Sequence, residues 1–330
     1  MKPSVDVTAV VVTWNSRDDI AFCLRALQES RGVHMSIVVV DNASVDGTIP
    51  FVQRMFPEIT TVQEPANRGF AQANNDGFER ASTTWVLTCN PDVVVDAACI
   101  TALLAAVQHS PHIGAAGPLL YRTDDLAPPF PRTTIDSTGL LARRQRSIED
   151  RGAGESANAV PLKPETVFGV TAACALFRRA ALDDVAVEGT VFDPDFGSYK
   201  EDVDLAWRLQ RCGWDALFVP SAVAWHRRGV RSAPKGNMRR VRTTRSRRER
   251  FLSYRNHLYT LWKNESFRTM LHPRVLWYEW RKAVYALFFE PYTLLALPAI
   301  LWKLPRLLRQ RNVIRRHSRR QPRDMDKWFA

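Results

Sequence analysis

Three short stretches of this chain bring together residue types that can do polar chemistry. Asn90-Pro91-Asp92 places a carboxylate directly after the apolar run Trp85-Val-Leu-Thr88. Glu201-Asp202-Val-Asp204 sets three carboxylates at the head of a segment with helical spacing. Val219-Pro-Ser-Ala-Val-Ala-Trp225-His226 closes an apolar run on a lone histidine. A carboxylate aimed into a cleft suits magnesium or manganese, which favour oxygen ligands and often bridge to substrate phosphates. Carboxylates in a first helical turn are held ionised by the helix dipole, and an ionised carboxylate can accept a proton. Each pattern also has an ordinary reading. Asn, Pro and Asp are common turn formers, acidic first turns are frequent, and a histidine ending an apolar run is usually a core residue.

Phosphate binding through glycine turns fails on context. Gly152-Ala-Gly154-Glu-Ser-Ala157 matches GxGxxA, but it follows an Arg-rich loop with no apolar strand ahead of it, so a flexible loop is expected there. No GxxxxGK[ST] segment occurs.

Rigid elements must hold these groups, and the first half of the chain supplies them. Val7-Thr-Ala-Val-Val-Val-Thr13 and Met35-Ser-Ile-Val-Val-Val40 are continuous apolar runs, the pattern of strands buried on both faces. Helices are predicted over residues 18–27, behind an Asn15-Ser16 cap, and over 44–56 and 69–81; strands are predicted over 60–63 and 85–88. This βαβαβαβ order predicts a doubly wound, mainly parallel sheet whose ligands bind beyond the carboxyl ends of the strands. Those ends carry Thr13 and Asn15, Asp41 and Asn42, and Asn90 and Asp92. Residues 123–164 read as an irregular loop. A second apolar run follows at 167–177, then a helix over 201–212 with Leu205, Leu209 and Cys212 on one face.

Charge divides the 330 residues. Residues 1–225 hold 19 Lys+Arg against 28 Asp+Glu, whereas 226–330 hold 27 against 6. Between 227 and 255 twelve basic residues face one acid, Glu249. Such a segment calls for an anionic partner, either nucleic acid or a membrane surface. Four tryptophans and five tyrosines among Leu and Phe over 251–302 favour the membrane surface, and no nucleic-acid module accompanies the charge. Residues 283–302 are mostly apolar, but Glu290, Pro291 and Pro298 interrupt them, so a clean span is not expected. Five cysteines without a CxxC pair fit a reduced, cytosolic chain, and the N-terminus shows no secretory pattern.

Taken together, the motifs resemble the family 2 glycosyltransferases of the GT-A fold. Thr13-Trp14-Asn15-Ser16 is similar to the family's opening Thr-Tyr-Asn segment, and Val40-Asp41-Asn42-Ala-Ser44-Val-Asp46-Gly47-Thr48 to its Val-Asp-Asn-x-Ser-x-Asp-Gly-Thr signature. Asn67-Arg68-Gly69-Phe70-Ala71-Gln-Ala-Asn74-Asn75-Asp-Gly77 and Asn90-Pro91-Asp92 resemble the branch containing bacterial rhamnosyltransferases. The Glu201–Gly213 stretch resembles the acceptor-side Glu-Asp helix, and His226 the histidine after the last core strand. The likeness covers about residues 7 to 230.

The resemblance implies an inverting transferase that moves a sugar from a nucleotide donor to a glycan or polyprenyl-diphosphate-linked acceptor, for cell-envelope polysaccharide synthesis. It implies dTDP-rhamnose as the first donor and a UDP-sugar as the second. Thr13, Asn15 and Asp41 would contact the nucleoside, with Asp41 at the base; Asn42, Arg68, Gly69, Asn75, Asn90 and Glu201 complete the substrate-binding set. Asp92 and His226 would hold Mg2+ or Mn2+, and Asp202 would be the general base. The family's usual Asp-x-Asp is here Asn90-Pro91-Asp92, which removes one carboxylate from the metal site. The expected layout is a GT-A catalytic domain over 1–230, its nucleotide-sugar half about 1–120 and its acceptor half about 121–230. A basic, aromatic-rich helical extension over 231–330 would then hold the enzyme peripherally at the cytoplasmic face of the membrane. From another class, a non-catalytic basic α/β protein that binds nucleic acid is the alternative.

Overall fold

A computed structural model describes residues 7–159, 163–228 and 246–329. Strands β1 (Val7–Thr13), β2 (Met35–Asp41), β3 (Thr60–Gln63) and β4 (Trp85–Cys89) alternate with helices α1 (Arg17–Gln28), α2 (Thr48–Met55) and α3 (Phe70–Arg80). There follow β5 (Val93–Val95), α4 (Cys99–Val107), β6 (Ile113–Arg122), β7 (Ile135–Ser137), β8 (Leu140–Ala142), β9 (Ile148–Asp150), β10 (Glu165–Val167) and β11 (Cys174–Arg178). Helices α5 (Arg179–Asp184) and α6 (Glu201–Arg211) then lead to β12 (Asp215–His226). The sheet runs β10-β12-β6-β11-β4-β1-β2-β3. It is parallel across β4-β1-β2-β3 and between β6 and β12, with β11 inserted antiparallel.

The apolar runs of β1 and β2 are continuous because both faces are covered. Val7, Ala9 and Val11 pack with Ile20, Leu24 and Ile49 on one side. Val10 and Val12 pack with Phe78 and Leu205 on the other. Burying each such side chain contributes about 1.5–3 kcal/mol.

Three sequence expectations change. The predicted 44–56 helix begins only at Thr48, because Asp46 accepts from the Thr48 N–H and Gly47 lies at φ +83°. The expected 123–164 loop contains β7, which pairs with β6, and the β8–β9 hairpin. The GxGxxA segment does follow a strand, β9, but Gly152 and Gly154 form left-handed turns, and among the described residues that follow there is a three-residue 3-10 turn and no phosphate-binding helix.

Beyond β12 lie α7 (Arg247–Asn264), α8 (Phe267–Met270), α9 (Pro273–Phe289), α10 (Ala296–His317) and α11 (Pro322–Met325). A Ser246/Glu249 capping box starts α7. Glu290 and Pro291 end α9, so residues 283–302 are divided between two helices and a 3-10 turn. Among the described residues no helix is long and apolar enough to cross a membrane. The basic residues 229–245 lie outside the described residues. Helix α7 packs on α6 and along α10. Leu261, Met325 and Phe329 share one core with Val203, Trp207 and Phe168.

Candidate active site

The parallel register sets Thr13 beside Asp41 at the carboxyl edge of β1 and β2. Both are buried, and Thr13 Oγ1 and Asp41 Oδ1 have no hydrogen-bond partner. The other carboxylate oxygen of Asp41 accepts from the Ser44 N–H at 3.0 Å. Asn15, at φ +52°, donates its N–H to Ser44 Oγ and accepts from the Val45 N–H, so its side chain shapes the loop that walls this edge. Asn42 Oδ1 accepts from the Arg68 N–H at 2.7 Å, and the Arg68 guanidinium pairs with Glu64 and Asp76. Gly69, at φ +87°, admits a close approach: a Cβ there would lie 2.6 Å from the Gly197 carbonyl oxygen. Ala71 N–H donates to that oxygen, and Phe70 N–H donates to Ser198 Oγ. Asn75 does not join the edge. Its amide is spent on the Phe192 backbone, at 2.8 and 2.9 Å.

Next along the sheet, β5 pairs with β12 so that His226 faces Val93, which brings Asp92 to the histidine. His226 Nε2 lies 3.3 Å from Asp92 Oδ1, and Nδ1 lies 2.9 Å from Asp136 Oδ2. Asp136, in the middle of β7, also accepts from Arg122 and Arg228, and Arg228 reaches Asp150 at 2.6 Å. Burial presses the His226 imidazolium down, but Asp92 and Asp136 outweigh it and hold the group up at about 9. Burial raises Asp136, yet His226 and the two arginines carry it well below the carboxylate range. Burial raises Asp92 too, and His226 again outweighs it, so the net shift is downward. Asn90 Oδ1, two residues from Asp92, is buried without a partner.

Among the described residues no group of three or more His, Cys, Asp or Glu is arranged to hold a metal. The set present still fits one. Hard divalent cations are often held by one or two protein ligands together with substrate phosphates. Asp92 and the orphaned Asn90 Oδ1 offer that; His226 Nε2 would join them on release of the proton it shares with Asp92, with Asp136 orienting the imidazole as carboxylates do behind metal-bound histidines.

The three carboxylates opening α6 have separate fates. Asp204 is wholly buried and bound by Arg208, Lys263 and Asn264, so it belongs to the core. Glu201 is buried with Oε2 unpartnered, and burial and the neighbouring Asp202 raise it far above its ordinary value. Asp202 accepts from the Val203 N–H, and burial followed by the charge of Asp150 raises it. A raised carboxylate is the better proton acceptor.

Sequence reasoning misses Asp136, Asp150 and Arg228. The two aspartates sit in three-residue strands, too short to show a period, and Arg228 reads as part of the basic end.

The sheet order and its polar edge define the GT-A class of α/β proteins. The chain belongs to glycosyl transferase family 2, whose family model matches residues 8–186. It is a glycosyltransferase, which displaces the non-catalytic alternative. The N-acetylglucosaminyl-diphospho-decaprenol L-rhamnosyltransferase of Mycobacterium tuberculosis is 30% identical over 237 residues, 67% of this chain and 76% of that protein. The poly-beta-1,6-N-acetyl-D-glucosamine synthase of Staphylococcus aureus is 24% identical over 68% of this chain and 52% of its own. The fold is similar to GalNAc-T7 with UDP, GalNAc and Mn2+, at TM-score 0.56 and 12% identity over 79% of this chain and 48% of that one. It is also similar to the Pyrobaculum calidifontis mannosyltransferase PcManGT with GDP-Man and Mn2+, at TM-score 0.51 and 20% identity over 92% of this chain and 78% of that one.

Proposed function

We propose that this glycosyltransferase moves rhamnose from dTDP-rhamnose, with inversion, onto a polyprenyl-diphosphate-linked glycan in cell-envelope polysaccharide synthesis. The observation that carries the reading is the row of buried polar atoms without partners where three strands end: Thr13 Oγ1, Asp41 Oδ1 and Asn90 Oδ1. Leaving a buried polar group unpaired costs about 1–3 kcal/mol, so a site that keeps three is built for a polar ligand. Asp41 offers an acceptor to the imide N–H that thymine and uracil share, so it does not separate dTDP from UDP donors. The name of the Mycobacterium tuberculosis relative supports rhamnose and a lipid diphosphate acceptor. The UDP bound in GalNAc-T7 keeps a UDP-sugar as the second donor.

Asp92 and His226, with Asn90 nearby, would hold a divalent cation that neutralises charge developing on the departing diphosphate. Asp202 takes the proton of the acceptor hydroxyl as its oxygen bonds to the anomeric carbon and the bond to the diphosphate breaks. Holding both substrates on one rigid edge supplies much of the rate. Roles divide near residue 230, with the sheet doing the chemistry and the extension holding the enzyme at the cytoplasmic membrane face. Exposed Trp277, Trp280, Phe288 and Trp302 support that placement.

The test is transfer onto synthetic N-acetylglucosaminyl-diphospho-polyprenol with a donor panel and Mg2+ or Mn2+. Rhamnosylated product from dTDP-rhamnose, seen as a mass increase, is expected. Product from a UDP-sugar alone would replace the donor, and no product from any donor would overturn the reading.

A further inference from the structure

A cavity of about 560 Å3 lies between the β8–β9 hairpin and helices α7 and α9. Lys200, the residue before Glu201, reaches its wall, so it lies on the α6 side of the molecule. Four cations line it, Lys200, Arg250, Arg281 and Lys282, against two carboxylates, Glu149 and Glu290. Glu149 is already taken by Arg143, whereas Glu290 offsets Arg250 and Glu279 lies 3.5 Å from Lys282, so the cations of the cavity still outnumber the carboxylates that face them. Arg250 Nε is buried without a hydrogen-bond partner. The Lys282 ammonium lies 4.9 Å from the Tyr254 ring and 5.2 Å from that of Tyr278. Burial presses this ammonium down to about 8; Lys200 adds to the effect, and Glu279 recovers only part of it. A site short of negative charge, with an orphaned guanidinium N–H, is built for a polyanion, and arginine donors suit phosphate oxygens. Beside it α9 and the next turn expose Leu287, Phe288, Phe289 and Leu295.

The geometry points to this cavity as the seat of a prenyl diphosphate. Its phosphates lie among Lys200, Arg250, Arg281 and Lys282, and its hydrocarbon chain leaves over the apolar ridge of α9. The attached sugar is thereby directed toward Asp202, next but one to Lys200. This assignment rests on the lipid-linked acceptor of the proposed function, but it is tested without any transfer reaction.

Calorimetric titration of the full chain with farnesyl diphosphate, farnesol and dTDP separates the possibilities. Farnesyl diphosphate should bind and farnesol should not. Arg281→Ala and Lys282→Met should each weaken farnesyl diphosphate by about tenfold or more, the worth of a charge-assisted contact, while dTDP affinity stays at the wild-type value. Arg281 is exposed, so its loss tests the site without disturbing the core. Wild-type affinity in both variants would overturn the assignment. So would displacement of farnesyl diphosphate by dTDP, which would move it to the strand-end edge. Competition by vesicles of phosphatidylglycerol and phosphatidylcholine would overturn it in favour of a phospholipid headgroup. If no donor supports transfer and Arg281→Ala still weakens farnesyl diphosphate binding about tenfold, the cavity assignment stands and the proposed transfer of rhamnose falls.

Discussion

Lys263 Nζ, wholly buried, donates to Asp193 Oδ2 at 2.7 Å and so ties α7 to the loop ahead of α6. The same ammonium reaches Asp204 Oδ2 at 3.0 Å. Burial raises Asp193, but Lys263 and the Asp195 N–H outweigh it and hold the carboxyl at about 2. A depressed carboxylate stabilises the fold fully above its unfolded value and loses that contribution as pH falls through the folded value. Asp193→Asn should therefore lose about 2 kcal/mol at neutral pH and flatten the acid-unfolding curve below about pH 4. Circular dichroism against pH checks it. An unchanged acid limb would remove Asp193 from the account.

Cutting the chain at residue 230 should cost the fold, not just the membrane contact. It strips Asp193 of Lys263 and Arg306, leaves Asp204 only Arg208 of its three partners, and uncovers Phe168 and Trp207. Leaving a buried charge unpaired costs about 3–5 kcal/mol on its own. A thermal melt of residues 1–230 should lie far below that of the full chain or lose cooperativity; an equal melting temperature would show the sheet to be self-sufficient.

Replacing the proposed base tests the chemistry directly. Asp202→Asn keeps the shape and removes basicity, so turnover should fall by about two to four orders of magnitude with donor affinity unchanged. Near-normal turnover would point to Glu201, whose Oε2 is the unpartnered carboxylate oxygen of this turn.

The proposed metal site is tested through donor binding. Asp92→Ala should weaken dTDP-sugar binding in Mg2+ or Mn2+, and His226→Ala should do so to a smaller degree. Asn90→Asp, which restores the second carboxylate, should tighten the metal. Donor binding that is indifferent to excess chelator would defeat all three expectations.

Membrane attachment should follow the exposed aromatic ridge together with the basic segment. Each Lys or Arg near an anionic leaflet contributes on the order of 1 kcal/mol, and salt screens it. Flotation with phosphatidylglycerol vesicles should weaken at high salt. Trp277→Ser with Phe288→Ser should abolish the binding that persists in salt. Salt-independent flotation of that double variant would exclude the ridge.

Much of the sheet is legible because β1, β2 and β4 are buried on both faces, which leaves unbroken apolar runs that end on polar residues. The same reasoning locates Thr13, Asp41, Asn90 and Asp92. It could not find Asp136 or Asp150, whose partners His226 and Arg228 lie on β12 and just beyond it, 78 to 92 residues away in sequence. Asn75 misleads for the same reason: its motif reads as substrate-facing, but its amide closes on Phe192, 117 residues on. Helix α7 belongs to the extension read as membrane-holding, yet Lys263 and Asn264 are core residues there. Charge pattern cannot reveal that, because the compensating carboxylates are on α6 and the loop before it.

The contact of Gly69 with Gly197 has a kinetic consequence. The start of α3 donates the Ala71 N–H to the Gly197 carbonyl and the Phe70 N–H to Ser198 Oγ, and the gap at Gly69 is too narrow for a side chain. If the donor engages Arg68 as proposed, its displacement should reach the turn that carries Asp202. This coupling predicts that the donor binds before the acceptor, so steady-state product inhibition should follow the ordered pattern; a random pattern would show that the seam transmits nothing. Widening the seam by Gly69→Ala should abolish that order before it abolishes affinity for either substrate.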